Sequence, residues 1–190
     1  MSSQPHKPLS ASEYLEIERK AEYKSEYCGG EMYAMAGATE AHNMLAGNMF
    51  GLIHEQFRRR DCRVYGSDMR VAVSPEGLYT YPDVSAVCGE LRFLDGHRDT
   101  LLNPEVIVEV LSSSTEAYDR GRKFELYRSL ESLQQYVLVA SDRAHVDVYA
   151  RTSDGGWVLR SLDGAADSVE LDSIGCRIRM SELYEKTELL

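Results

Sequence analysis

Residues 105–111 read Glu-Val-Ile-Val-Glu-Val-Leu, and this stretch decides the fold predicted for the chain of 190 residues. Its apolar residues are nearly continuous and mostly β-branched, which is typical of a strand covered on both faces. Glu109 lies in the middle of the run, where an ionised carboxylate is strongly unfavourable unless a cation or hydrogen-bond donors receive it. The stretch therefore predicts a buried strand and a positive partner for Glu109.

A second acid, Asp83, occurs in the sequence Tyr-Pro-Asp-Val, within a predicted strand over residues 81–88. Sheets accept proline at the start of a strand, as here. Alternation places each acid on one face of its own strand, but periodicity leaves open whether the two acidic faces coincide. If they do, a shared metal ion is the natural partner, and carboxylate oxygens suit Mg²⁺ or Mn²⁺. The carbonyl oxygen of Val110 is a reasonable third protein ligand.

Lys123 adds a cation to these two acids. It lies in a helix predicted over about residues 116–130, and apolar residues follow it at i+3, i+4 and i+7, which places the lysine on the inward-facing stripe. The alternative is a simple surface pair with Asp119, four residues earlier. Two carboxylates and a lysine suit phosphodiester hydrolysis, because the metal activates a water and the lysine stabilises charge in the transition state.

The rest of the chain predicts a mixed sheet flanked by helices. Residues 1–9 are predicted to form a flexible tail, and residues 10–190 a single domain. Ser10 and Glu13 form a predicted capping box, and Gly29-Gly30 a hairpin turn. The further predicted elements are helices over about residues 10–24 and 40–60, and strands over residues 62–65, 69–73, 136–140, 146–151, 157–162, 169–171 and 176–180.

Composition excludes several classes of protein. The net charge of −10 argues against strong non-specific binding to nucleic acid. The four cysteines lack a C-x-x-C pair, which argues against a zinc knuckle or a disulfide framework and favours a reduced, cytoplasmic setting. The start lacks an apolar signal region, and no run of about 18 apolar residues occurs, so we expect neither secretion nor a membrane span.

Several strings of the chain resemble the Uma family of bacterial restriction endonuclease-like proteins, which belongs to the PD-(D/E)xK nuclease superfamily. The likeness extends from about Ser10 to Leu190. The strings are Tyr-Pro-Asp-Val (81–84), Val-Glu-Val-Leu-Ser-Ser-Ser-Thr-Glu-Ala-Tyr-Asp-Arg-Gly-Arg-Lys-Phe (108–124), Leu-Gln-Gln-Tyr-Val-Leu-Val (133–139), Gly-Gly-Glu-Met-Tyr-Ala-Met-Ala-Gly (29–37), His42-Asn43 and residues 67–71.

This resemblance implies a restriction-endonuclease-like αβββαβ core with extra C-terminal strands. Asp83 and Glu109 would be the metal ligands of that core. The chain departs from the superfamily pattern two residues after Glu109, where Leu111 replaces the lysine. Lys123 matches a lysine that such families supply from the following helix.

The family also has a glutamate and a histidine at the positions of Glu31 and His42. The resemblance implies that the glutamate reaches the metal site from the hairpin and that the histidine contacts a phosphate or water. His42 is equally well explained as a residue that hydrogen-bonds the start of its helix.

We therefore expect an endonuclease dependent on Mg²⁺ or Mn²⁺ that acts on DNA. A homodimer is expected, because cutting both strands of a duplex favours two symmetric sites. Arg120 and Arg122 are the candidate DNA contacts. One alternative is a binding module that keeps the fold without turnover, which the net acidity favours; another is a metallohydrolase acting on a small phosphoester.

Overall fold

The computed structural model describes residues 8–75 and 77–189. Its strands are β1 Ser25–Cys28, β2 Glu31–Ala34, β3 Cys62–Gly66, β4 Arg70–Ala72, β5 Leu78–Thr80, β6 Val84–Cys88, β7 Thr100–Leu101, β8 Val106–Leu111, β9 Gln135–Ala140, β10 Val146–Arg151, β11 Trp157–Leu162, β12 Ser168–Leu171 and β13 Cys176–Arg179. Its α-helices are α1 Ala11–Glu18, α2 Glu40–Phe57, α3 Glu116–Tyr118, α4 Phe124–Tyr127 and α5 Met180–Leu183. A π-helical turn, Asp119–Lys123, lies between α3 and α4, and a 3-10 turn spans Asp172–Ile174.

The central sheet has six strands in the order β11-β10-β9-β8-β6-β3. Strands β3, β6 and β8 are antiparallel neighbours, while β8 and β9 run parallel. A parallel pair needs a crossover connection, and the segment 116–127 provides it. With α2 preceding β3, this order is the αβββαβ core, so the predicted fold class is confirmed.

Strand β8 is covered on both faces, as its apolar run predicts. On one face, Val108 and Val110 pack in a cluster with α2, β12, β13 and α5. On the other face, Ile107 and Leu111 pack with the crossover segment and with residues of a second sheet. Burial on both sides explains why every residue of β8 is buried, Glu109 included.

The second sheet has five strands in the order β2-β1-β5-β4-β7. Its hairpin β1–β2 confirms the turn predicted at Gly29-Gly30, where both residues have positive φ values of 58° and 98°. The strand predicted over residues 81–88 is present as β6, but it begins three residues later, at Val84, directly after Asp83. Before it, β5 ends in the second sheet at Thr80, and the chain crosses to the central sheet at Pro82, which cannot donate to a ladder.

The predicted capping box is present at the start of α1. The Glu13 N–H donates to Ser10 Oγ at 3.2 Å, and the Ser10 N–H donates to Glu13 Oε2 at 2.8 Å. The helix ends at Glu18, earlier than predicted, and the Glu18 carboxylate accepts a hydrogen bond from the Ser25 N–H. Of the predicted tail, residues 1–7 lie outside the described residues; the Leu9 N–H donates to the carbonyl of Gly30.

The expectation of reduced cysteines is wrong for one pair. Cys62 and Cys88 are register partners on β3 and β6 and form a disulfide, whereas Cys28 and Cys176 are free. The partners are 26 residues apart in sequence, so only the strand pairing reveals that they are neighbours. Within the described ranges, no helix combines the length and apolar character that a membrane crossing requires.

Candidate active site

The pairing of β6 with β8 places Asp83 and Glu109 on the same face of the central sheet. The register pairs Val84 with Val108 and Ser85 with Ile107. One step further along the same register, Asp83 lies opposite Glu109, and opposite residues of an antiparallel pair share a face. The Val110 N–H donates to Asp83 Oδ2 at 2.8 Å, which fixes the aspartate at this position.

Glu109 is held by two donors in a nearly closed environment. Its Oε1 accepts hydrogen bonds from the Tyr127 hydroxyl at 2.8 Å and from Lys123 Nζ at 2.9 Å. Burial raises the pKa of Glu109 to about 8, and the negative charges of Asp119 and Asp83 add to the effect while Lys123 opposes it. At neutral pH the Glu109 carboxyl therefore tends to keep its proton until another cation approaches.

Lys123 points into the structure and contacts three carboxylates. Its Nζ lies 2.9 Å from Glu109 Oε1, 3.1 Å from Glu26 Oε1 and 3.6 Å from Asp119 Oδ1. Burial favours the neutral amine, but the three carboxylates outweigh it and hold the pKa of Lys123 well above its usual range. The lysine therefore lies inward, and its pair with Asp119 is buried and not the surface pair that was the alternative.

The π-helical turn explains how Asp119 and Lys123 are buried together. A π-turn widens the helix locally, and such turns often occur at functional sites. Asp119 and Lys123 are the buried residues of this turn, and the backbone carbonyl of Asp119 accepts a hydrogen bond from the Tyr136 hydroxyl at 3.1 Å. Burial raises the pKa of Asp119, although the positive charge of Lys123 acts to lower it.

The β1–β2 hairpin supplies one glutamate to the cluster around Lys123. That residue is Glu26, and not Glu31 as the resemblance implies. Glu26 lies on β1 and accepts a short hydrogen bond from Thr80 Oγ1 in addition to its contact with Lys123. Glu31 lies at the start of β2, where it is exposed and accepts a hydrogen bond from the Tyr33 hydroxyl at 2.6 Å. The sequence offers little signal for Glu26, because its approach to Lys123 depends on how the two sheets pack.

His42 hydrogen-bonds at the start of its helix, as one of the two explanations predicts, and its ring contacts Asp83. Its backbone N–H donates to Thr39 Oγ1 at the start of α2, and its Nε2 lies 3.3 Å from Asp83 Oδ2. Burial favours the neutral ring, but the hydrogen bond and charge of Asp83, with the carbonyl of Val110, raise the pKa of His42 overall. The histidine therefore adjoins the proposed ligands Asp83 and Val110.

The two candidate DNA-contacting arginines differ in their surroundings. Arg120 is largely engaged, with Nε 2.8 Å from Glu116 and Nη1 2.5 Å from Asp147. Arg122 is exposed and pairs with Glu125, which is also exposed. Since exposed pairs of this kind are weak, Arg122 is the freer of the two to contact a phosphate.

In the candidate site the carboxylates outnumber the cationic side chains. This excess of negative charge is the chemical reason to expect a bound metal ion. Within the described ranges, no three His, Cys, Asp or Glu side chains form a group that could hold a metal. Mg²⁺, however, commonly uses only one or two protein carboxylates and takes its other ligands from water and substrate phosphates. The carboxylates of Asp83 and Glu109 with the carbonyl of Val110 fit that requirement.

Comparisons with known proteins agree with this fold. Residues 11–181 match the model of the Uma2 family, described as "Putative restriction endonuclease". Two proteins of Synechocystis sp. are similar: uncharacterized protein slr1290 is 37% identical over 182 residues, covering 96% of this chain and 94% of that protein. Uncharacterized protein sll1609 is 36% identical over 164 residues, covering 86% and 93%. The crystal structure of a putative nuclease belonging to DUF820 from Anabaena variabilis superposes with a TM-score of 0.76 at 17% identity, covering 95% of this chain and 99% of that one.

Proposed function

Because this chain belongs to the Uma2 family of restriction endonuclease-like proteins, we propose that it is a metal-dependent endonuclease that hydrolyses phosphodiester bonds in DNA. One observation carries the proposal. The ammonium of Lys123 lies 2.9 Å from Glu109, and Glu109 lies across the strand pair from Asp83. Two carboxylates and a lysine in this arrangement match the chemistry of phosphodiester hydrolysis.

The residues of the site have distinct roles in this proposal. Asp83, Glu109 and the Val110 carbonyl would hold Mg²⁺ or Mn²⁺. When bound, such an ion supplies a polarised phosphate oxygen and a water of lowered pKa. Tyr127 keeps Glu109 oriented through its hydrogen bond. Lys123 would orient the attacking water and stabilise the charge that builds on the phosphate.

Glu26 and Asp119 support the lysine. Their contacts hold its ammonium beside Glu109 and keep it protonated, since the cluster raises the pKa of Lys123. We infer that both are positioning residues that act through Lys123. His42 would donate from its ring to Asp83 and so fix the orientation of that carboxylate.

DNA is the proposed substrate, in line with the description of the family. Arg122 is the proposed phosphate contact, because its side chain is exposed. A homodimer belongs to the proposal for cleavage of both strands of a duplex, where two symmetric sites are an advantage.

Cleavage assays with matched variants test the proposal. Wild-type protein should cut DNA with Mg²⁺ or Mn²⁺ and stop when the metal is chelated. Asp83→Asn and Glu109→Gln should abolish cleavage, since each amide keeps the shape but removes a ligand charge. Lys123→Met should slow cleavage by roughly 100-fold or more, the usual effect of losing one stabilising donor. Asp68→Asn is the control: this aspartate is 98% exposed and pairs with Lys24.

The substrates should be supercoiled plasmid, linear duplex and single-stranded DNA, with all proteins prepared identically. Equal cleavage by wild type and Glu109→Gln would show a contaminant or a different site. The absence of cleavage by any protein, across metals and substrates, would favour the non-catalytic binding module.

A further inference from the structure

We propose that Tyr33 and Tyr118, at the rim of the candidate active site, form a stacking platform for an unpaired nucleobase. The substrate would then be a DNA strand with unstacked bases, such as a single strand or a flap, in preference to an intact duplex. The inference rests on the proposed nuclease function, because it names the substrate class of the same site.

Tyr33 is brought to the rim by the register of the hairpin. It pairs directly with Glu26 across β1 and β2, so the two side chains share one face. Glu26 in turn contacts Lys123 at 3.1 Å. Strand β2 is the edge strand of its sheet in the part of the chain that the structure describes, and Tyr33 is 52% exposed there. A large aromatic ring therefore stands open to solvent beside the cluster that surrounds Lys123.

Glu31 holds this ring in place. The Tyr33 hydroxyl donates to Glu31 Oε2 at 2.6 Å, and the two residues are two apart on the strand, on one face. The hydrogen bond restrains the ring at its hydroxyl end, so that less conformational entropy is lost when a base packs against it. This contact gives Glu31 a role at the rim without contact to the metal ligands.

Tyr118 borders the same face from the crossover segment. It directly precedes Asp119 in the chain and is half-buried. Asp119 contacts the same Lys123 ammonium as Glu26 of β1, so Tyr118 lies beside this cluster. Burial raises the pKa of Tyr118 to about 12. The two tyrosines therefore border one short stretch of the hairpin.

An arginine completes the platform. Arg122 follows Tyr118 within the π-helical turn, and its side chain is 59% exposed. Aromatic rings that stack on bases, next to a cation that tracks the backbone, are the recurring design of single-strand binding sites. In an intact duplex both faces of each base are already covered, so only an unpaired or frayed base can use such a ring.

Binding assays in the Glu109→Gln background test the inference independently of cleavage. The probes are a fluorescent single-stranded thymidine oligonucleotide of roughly 12 nucleotides and a duplex of equal length. The single strand should bind more tightly than the duplex. Tyr33→Ala should weaken single-strand binding roughly five- to 150-fold, the usual loss for one stacked base, while Tyr33→Phe should stay within about two-fold of the parent because it keeps the ring.

Tyr23→Ala is the matched control, since Tyr23 is 67% exposed and has no ring contact with the site among the described residues. It should leave binding unchanged. Equal binding by the Tyr33→Ala protein and its parent, or tighter binding of the duplex, would overturn the inference. A shift of Tyr33→Ala from dimer to monomer in sedimentation, with unchanged DNA binding, would assign the ring to a contact between copies and would overturn it too. Tight single-strand binding by a protein that never cleaves would support the platform and reject only the nuclease.

Discussion

At the scale of single residues, the site is centred on one buried lysine, Lys123. The carboxylates that contact this lysine outnumber its single positive charge. Glu109 and Lys123 stand out in the sequence, because each interrupts an apolar pattern that marks burial. Glu26 gives no such signal: it lies on a short strand with polar neighbours, and its contact with Lys123 joins residues that are 97 positions apart (123 minus 26). Asp119 is visible in the sequence only as a partner of Lys123 within the helix. The acids around the lysine thus depend on tertiary packing.

Replacement of Lys123 by methionine tests how the charges in this cluster balance. Without the ammonium, Glu26, Glu109 and Asp119 lose their shared counter-charge in a buried setting. We expect Lys123→Met to lower the free energy of unfolding by about 3–5 kcal/mol at pH 7, the usual range for breaking a buried pair. Urea denaturation of both proteins measures this difference.

The difference in the free energy of unfolding between wild type and Lys123→Met should depend on pH in a defined direction. The pKa of Glu109 is raised in the folded state to about 8, so folding disfavours its ionised form. The stability linked to Glu109 is fully present below its ordinary pKa and is lost as pH rises through about 8. Loss of Lys123 raises the pKa of Glu109 further, so the deficit of Lys123→Met should be larger at about pH 9, where Glu109 of the wild type ionises, than at about pH 6. Lys24→Met, which removes an exposed pair with Asp68, should show little change at either pH; a deficit equal to that of Lys123→Met would contradict the buried-charge account.

At the scale of elements, the prediction succeeds where length and periodicity are strong. Strand β8 and helix α2 are both predicted from their apolar patterns and are both present. Strands β5 and β7 have only three and two residues, too few to show a period, and they were not predicted. The π-turn is also invisible in the sequence, because helical spacing is kept on both sides of it. Strands β5 and β7 complete the second sheet, and the π-turn buries Lys123 together with Asp119, which is why these unpredicted elements matter for the site.

An ion-pair network joins α1 to this second sheet and offers a test at the same scale. Asp99 lies 2.8 Å from Arg19 of the segment after α1 and 2.9 Å from the buried Arg70 of β4. The hydrogen bond from Arg19 is the main cause that lowers the pKa of Asp99 to about 2. Because the folded pKa is depressed, the stability linked to Asp99 is present above its ordinary pKa and is lost as pH falls towards 2.

Asp99→Asn should therefore lower the free energy of unfolding at pH 7 by about 1–2 kcal/mol, a value reduced for the partial exposure of the carboxylate. Denaturation curves at pH 7, 4 and 2.5 should show this deficit shrinking with acid. Asp95→Asn is the control, since Asp95 contacts the same Arg19 from a more exposed position. It should have the smaller effect; equal effects of the two variants would show that the contact with Arg70 contributes nothing.

At the scale of the whole molecule, the topology brings the site together. The antiparallel pairing of β6 with β8 sets Asp83 opposite Glu109, and the crossover from β8 to β9 returns Lys123 over the same face. The order of elements could be predicted from the sequence, and the superposition on the Anabaena variabilis structure at a TM-score of 0.76 agrees with it. The register of each pair could not be predicted, since a slip of one residue reverses the face of every side chain. The positions of the site residues therefore depend on the strand register, which could not be predicted from the sequence.

The net charge of −10 and the excess of carboxylates in the site lead to a prediction for the molecule as a whole. A cation that binds only the folded state stabilises it by about 1.4 kcal/mol when present at ten times its Kd. For a chain of 190 residues this corresponds to a rise in Tm of roughly 3–6 °C. The rise should be larger above pH 8 than at pH 6.5, because Glu109 must lose its proton before it can act as a ligand.

Thermal unfolding monitored by circular dichroism, with Mg²⁺ compared against NaCl at matched ionic strength, measures this shift. Asp83→Asn and Glu109→Gln should each lose the response to Mg²⁺, whereas Asp68→Asn should keep it, because its carboxylate is exposed and lies outside the cluster around Lys123. If all four proteins respond equally, Mg²⁺ acts through the general acidity of the surface, and Asp83 and Glu109 are not its ligands. A response confined to wild type and Asp68→Asn would locate the cation at the start of β6, where the two carboxylates share a face.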